Sequence, residues 1–115
     1  MTKAEKPVPD AETQRPLAAA LFNCTWTLME MRGRTVEQDD ELVHAAHASS
    51  YHRGQVGEPP NFARAEWQCS GVYAVLGRVE PALHHARRCL EICRAHGIAG
   101  AEDRELVEAD RATIP

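Results

Sequence analysis

From Leu17 onward apolar residues recur at helical steps: Leu17, Leu21, Cys24, Leu28 and Met31, with Phe22, Trp26 and Met29 widening the stripe. Steps of three and four over four turns predict a helix. Pro16 fits its first turn, where a missing N–H costs nothing, and Gly33 is a natural stop. The first helix therefore spans about 16–32, after a flexible tail over 1–13 that holds two prolines and no apolar periodicity. Thr35-Val36-Glu37-Gln38 reads as a capping box, and Glu37, Asp39, Asp40 and Glu41 crowd the first turns, where the helix dipole favours negative charge. A second helix over 35–53 follows through Leu42, Val43, Ala46, Ser50 and Tyr51.

The stretch GQVGEPPN (54–61) predicts the one clear loop, with Asn61 as N-cap of a third helix over 62–76 that stops at Gly77. Pro81 opens a fourth helix over 80–96, which Gly97-Ile98 ends in a Schellman turn. AEDRELVEAD and its flanks predict a short fifth helix over 101–112 on a thin stripe of Leu106, Val107 and Ala109. No segment alternates as a strand does. Short turns force antiparallel neighbours, and amphipathic helices cannot bury their stripes alone. The expected fold is all-α: two stacked antiparallel hairpins, or a four-helix bundle, plus a short C-terminal helix. Trp26, Leu28, Leu76, Leu83 and Leu90 are the expected core.

Composition narrows the partners. The 115 residues allow one domain, and 43% apolar with 26% charged residues is a globular balance. A net charge of −4 argues against nucleic acid as a partner. No apolar run reaches the ~18 residues that would span a membrane, and MTKAEKPVPD lacks the apolar centre of a signal peptide. A cytoplasmic protein is expected, with Cys24, Cys69, Cys89 and Cys93 as reduced thiols because no C-x-x-C spacing is present.

The six histidines are the strongest local signal. His44 and His47 are three apart and share a helix face, with His52 one turn further along. His84 and His85 point about 100° apart on the fourth helix. His44, His47 and His85 could supply three ligands across the bundle, with Glu66 or water completing the shell of a divalent transition metal. The competing account has these imidazoles bonded to carboxylates or backbone in a polar seam. The stripe His85, Cys89, Cys93, His96 runs about 16 Å along one helix, too long for one ion, and Cys89 and Cys93 read as small core residues. No nucleophile elbow surrounds Ser49, Ser50 or Ser70, a His52–Cys69 pair is not required by any spacing, and G-x-x-G at 54–57 lacks the Lys of a phosphate loop.

Residues 62–96 resemble a tetratricopeptide repeat. Aligned on the turn glycine, Tyr73, Gly77, Ala82, Leu83, Ala86 and Leu90 fall where that repeat wants a Tyr, a Gly, two apolar and further packing residues. Cys69-Ser70 replaces its usual Leu-Gly pair, and no proline closes the unit. The resemblance covers about a third of the chain. It implies that the third helix lines a concave groove in which Arg64 and Trp67, flanked by Asn61, Glu66 and His52, would meet a carboxylate or a planar, partly apolar ligand. The bland counterpart packs Trp67 between hairpins and pairs Arg64 with a carboxylate such as Glu41.

The phrases HAAHASSYH (44–52) and NFARAEWQ (61–68) also resemble a group of small uncharacterised bacterial helical proteins. That likeness implies a further hairpin between Ala99 and Glu102, missing here, whose bare face a homodimer would cover. Three readings follow: binding of a protein partner, a second copy or a small ligand through the helical groove; a small helical metal protein or enzyme with a His-rich pocket; and a fragmentary relative without activity.

Overall fold

The computed structural model describes residues 6–98 and holds four helices, α1 (Ala11–Glu30), α2 (Val36–Val56), α3 (Pro59–Val75) and α4 (Val79–Ala95), with no strand among the described residues. The fifth helix expected over 101–112 lies outside them, as does the chain beyond Ile98. α1 packs on α2 and α3 on α4 as two antiparallel hairpins, and α2 packs on α3 to join them. The all-α expectation holds.

The local signals explain most helix ends. Gln38 N–H donates to Thr35 Oγ1 at 3.1 Å while Thr35 N–H donates to Gln38 Oε1 at 2.9 Å, the reciprocal cap read from the sequence. Gly97 takes φ +67°, and Ile98 N–H reaches back to the Cys93 carbonyl at 2.8 Å, closing the Schellman turn. Gly77 at φ +72° ends α3 in the same way, with Arg78 N–H on the Tyr73 carbonyl.

Two boundaries differ from the sequence expectation. α1 starts at Ala11, within the stretch expected as a tail, so Pro16 lies inside the helix. Asp10 supplies the cap: its Oδ1 accepts from Thr13 N–H at 2.9 Å, and Gln14 is buried with its Nε2 on the Pro9 carbonyl. The 54–61 loop shrinks to Gly57 and Glu58. α2 continues through Gly54 to Val56, and Pro59-Pro60 occupy the first turn of α3, where neither needs an N–H donor. Asn61 is consequently the third residue of α3, not its N-cap; Glu58 holds that place and gives its N–H to Asn61 Oδ1 at 2.8 Å.

The core forms two clusters, one where α1 and α2 meet α3 and one inside the α3–α4 hairpin. Leu28, Leu42, Ala46, Cys69 and Val72 bring α1, α2 and α3 together, and Ala63, Cys89 and Cys93 join α3 to α4 with Trp67, Ile92 and Ile98 packed against them. Alanines 18, 45, 46, 63 and 65 are buried, which lets the helix backbones approach closely. Polar bonds tie α1 to its neighbours: Ser49 Oγ donates to the Ala18 carbonyl at 2.9 Å, and Gln68 Nε2 donates to the Phe22 carbonyl at 3.0 Å. Leu28 is buried as expected, while Trp26 and Leu76 are half-buried. Leu83 and Leu90 are not core residues: they stand 43% and 46% exposed. The face of α4 that meets α3 is the one carrying Cys89 and Cys93, and the two leucines lie off it.

Candidate functional site

Two polar constellations stand out, one on each side of α3. The first surrounds a cavity of about 210 Å³ where α1, the end of α2 and the start of α3 meet, lined by Arg15, Ala18, Ala19, Arg53, Val56, Gly57, Asn61 and Arg64. Arg53 and Arg64 are only 6% exposed, an uncommon state for guanidinium groups, which are almost never this deep without partners. Arg53 lies over the Phe22 ring, its guanidinium carbon 4.3 Å from the ring centre. Both arginines have further partners within the chain. Arg15, exposed, adds a third guanidinium to the rim. Three guanidinium groups border one small cavity, and guanidinium forks match the oxygens of carboxylates and phosphates.

The second constellation joins α2, α3 and α4. Glu66 Oε2 and His85 Nδ1 are 2.6 Å apart and largely sheltered from solvent. His47 Nε2 is 2.7 Å from Tyr73 Oη, and the His47 and His85 rings are 5.3 Å apart. Tyr73 stacks on His85 at 5.6 Å with the planes 6° from parallel, and His84 meets His85 edge-on at 4.9 Å. Burial pushes the His47 imidazolium toward deprotonation, the neighbouring His85 and His44 add to that, and Glu66 opposes it. Beside this cluster, Ser50, Gly54, Phe62, Glu66, Arg88, Ile92 and His96 line a cleft of about 370 Å³.

The sequence candidates distribute unevenly over these two places. Asn61 and Arg64 both line the first cavity, but Trp67 does not share it. Its ring packs against Trp26 at 5.6 Å and against the Ala63–Cys89–Cys93 core. His52 is separate again, its Nδ1 3.1 Å from Gln14 Oε1 in a contact between α1 and α2. Glu66, His47 and His85 do converge, and His44, exposed on α2, acts on His47 from one turn away. Among the described residues no group of three or more His, Cys, Asp or Glu side chains could hold a metal ion. The hydrogen bonds explain part of this, because His85 Nδ1 faces Glu66 and His47 Nε2 faces Tyr73.

Arg15, Arg53 and Tyr73 are site residues that the sequence reading did not select. Nothing in their local spacing marks Arg15 or Arg53; the register of α1 against α2 brings them together. Tyr73 carried a repeat signature but no sign of its bond to His47. Thiol chemistry finds no support. Burial, followed by Glu66, pushes Cys69 up to about 12, and burial with the adjacent Cys93 pushes Cys89 up to about 12, so both stay protonated near neutrality. All four cysteines are unbridged. No described helix is long and apolar enough to cross a membrane.

No family model matches the sequence, and comparison with curated proteins and with solved structures finds no significant match.

Proposed function

We propose that the protein is a helical binding module that takes a small acidic ligand, a carboxylate or a phosphate, in the cavity between α1, α2 and α3. The observation that carries this reading is the pair of buried guanidinium groups, Arg53 and Arg64, lining a cavity with Arg15 at its rim. Ala18, Ala19 and Val56 would cover the ligand's carbon body, and the Asn61 amide offers one more polar contact. The reading keeps the ligand-binding role implied by the tetratricopeptide resemblance and moves the contact from Trp67 to Arg53. We expect the binding to take place in the cytoplasm, which the unbridged thiols support.

Calorimetric titration of the full chain with inorganic phosphate and with succinate tests it. Binding of either by the wild type is expected, with a loss of about tenfold or more in Arg64→Met, since a hydrogen bond to a charged group is worth about 1.5–3 kcal/mol. Arg15→Ala, which removes an exposed side chain and leaves the core intact, should weaken binding several-fold and steepen no unfolding curve. A wild type that binds neither anion, or variants that bind as well as wild type, would overturn the reading.

Self-association is a second reading, favoured by Val79, Leu83 and Leu90, which α4 leaves exposed. Sedimentation of wild type against Leu83→Gln/Leu90→Gln decides it. A dimer converted to monomer supports the reading, with the melting temperature of the monomeric fold nearly unchanged because neither leucine is in the core. A monomeric wild type at high concentration ends it.

A further inference from the structure

Helix packing joins α1 to α2, α2 to α3 and α3 to α4, whereas α2 and α4 reach each other through the rings of His47 and His85. Next to that bridge the two helices stand apart across the 370 Å³ cleft, with Ser50 and Gly54 on one wall and Arg88, Ile92 and His96 on the other. The bridge is built from titratable groups. Among the described residues one carboxylate, Glu66, is placed to offset an imidazolium, on His85 at 2.6 Å. A second proton, on His47, would set two like charges on rings 5.3 Å apart, with His85 sheltered and His47 at the solvent edge.

We propose that the His47–His85 contact is a proton-operated latch between α2 and α4, closed while one imidazole at most is charged and released when both are, so that the adjoining cleft widens. This goes beyond anion binding and does not depend on it. Three helices set titratable groups around the His47–His85–Glu66 cluster. α2 contributes His44; α3 contributes Glu66, Tyr73 and the protonated Cys69; α4 contributes His84, His85 and the protonated Cys89. No charged group of α1 acts on His47 among the described residues. Among the described residues Glu66 is thus the single carboxylate in the cluster, and it already faces His85.

The sign follows from the same surroundings. His47 gives up its proton more readily in the folded protein than in the unfolded chain, whose histidines titrate near 6.5. Above about pH 6.5 both states hold it neutral and the latch costs nothing. As the pH falls below that value the unfolded and open states take up a proton that the closed state resists, and the balance shifts by less than about tenfold per pH unit because solvent screens the exposed His47.

The test is amide hydrogen exchange and thermal unfolding of the full chain between pH 8 and pH 5. Wild type is expected to lose stability below about pH 6.5, with exchange in α4 and in the 44–54 stretch rising before that in α1. His47→Gln keeps a polar partner for Tyr73 and should remove the acid-induced rise. His85→Gln, which removes the second imidazole, should do the same and serves if His47→Gln folds poorly. Glu66→Gln removes the offsetting charge and should make the acid-induced loss steeper. An unchanged pH profile in both histidine variants, or exchange that rises uniformly over all four helices, would overturn the latch.

Discussion

Phe22→Ala is expected to cost about 3–5 kcal/mol, the range for truncating a fully buried phenylalanine. Against a total stability of about 5–15 kcal/mol, that is enough to leave the variant partly unfolded. Phe22 has no exposed surface; it meets Trp26 edge-on at 6.2 Å and lies beneath the Arg53 guanidinium. Its own carbonyl receives the buried Gln68 amide, so a collapse of the site would disturb the α1–α3 contact as well. Urea unfolding measures the loss, and a change below about 1 kcal/mol would show that α1 and α2 are packed in a different register. Phe22→Leu separates the two roles of the ring. It retains most of the apolar volume but removes the face on which Arg53 rests, so anion binding should weaken while the fold persists.

How far these features could be read from the sequence depends on the range of the interaction. Local chemistry was legible: Thr35 and Gln38 cap each other, Gly77 takes the left-handed turn, and Gly97-Ile98 closes α4 as their types demand. Proline was ambiguous because the same residue breaks a helix interior and suits a first turn. Pro59-Pro60 read as loop yet open α3, and Pro16 read as a first-turn residue yet lies inside α1 behind the Asp10 cap.

The surface of α4 was ambiguous for another reason. Leu83 and Leu90 are seven apart and form as regular a stripe as Cys89 and Cys93 with Ala82 and Ala86. Cys89 and Cys93 read as small core residues and are buried, but periodicity alone could not exclude Leu83 and Leu90 from the core beside them. The smaller residues face α3, where close approach matters more than side-chain size.

The histidine cluster was half legible. Spacing put His44 and His47 on one face and allowed His85 to reach them, and the structure does join His47 to His85 and Glu66. It could not show that Tyr73 would take the His47 nitrogen, since that bond spans 26 residues of chain. The arginine cavity was the least legible of all. Arg15, Arg53 and Arg64 come from three helices, and the platform under Arg53 is a phenylalanine 31 positions earlier that the sequence marks only as core.

Gly57→Ala tests the cavity from its backbone side, and is expected to destabilise by about 1–3 kcal/mol, the usual cost of forcing extra volume into a packed place. Gly57 has an ordinary φ of −92°, so conformational strain is not the reason. A Cβ there would sit 2.7 Å from the Arg53 carbonyl oxygen and 2.9 Å from Asn61 Cβ, too close for either. The Arg53 carbonyl cannot retreat freely, because Gly57 N–H bonds to it at 2.7 Å and closes α2. Asn61 is pinned too, its Oδ1 holding the Glu58 N–H at the start of α3. Both residues line the cavity, so relief of the clash should also weaken anion binding. Gly54→Ala supplies the opposite sign three residues away. Gly54 lies inside α2 with open space around its Cβ direction, and alanine there should stabilise by roughly 0.5–1 kcal/mol through helix propensity. Chemical unfolding of both variants reads the contrast. If Gly57→Ala were as stable as Gly54→Ala, the two-residue link between the hairpins would have to yield, and the arginine cavity could not be the rigid site that anion binding requires.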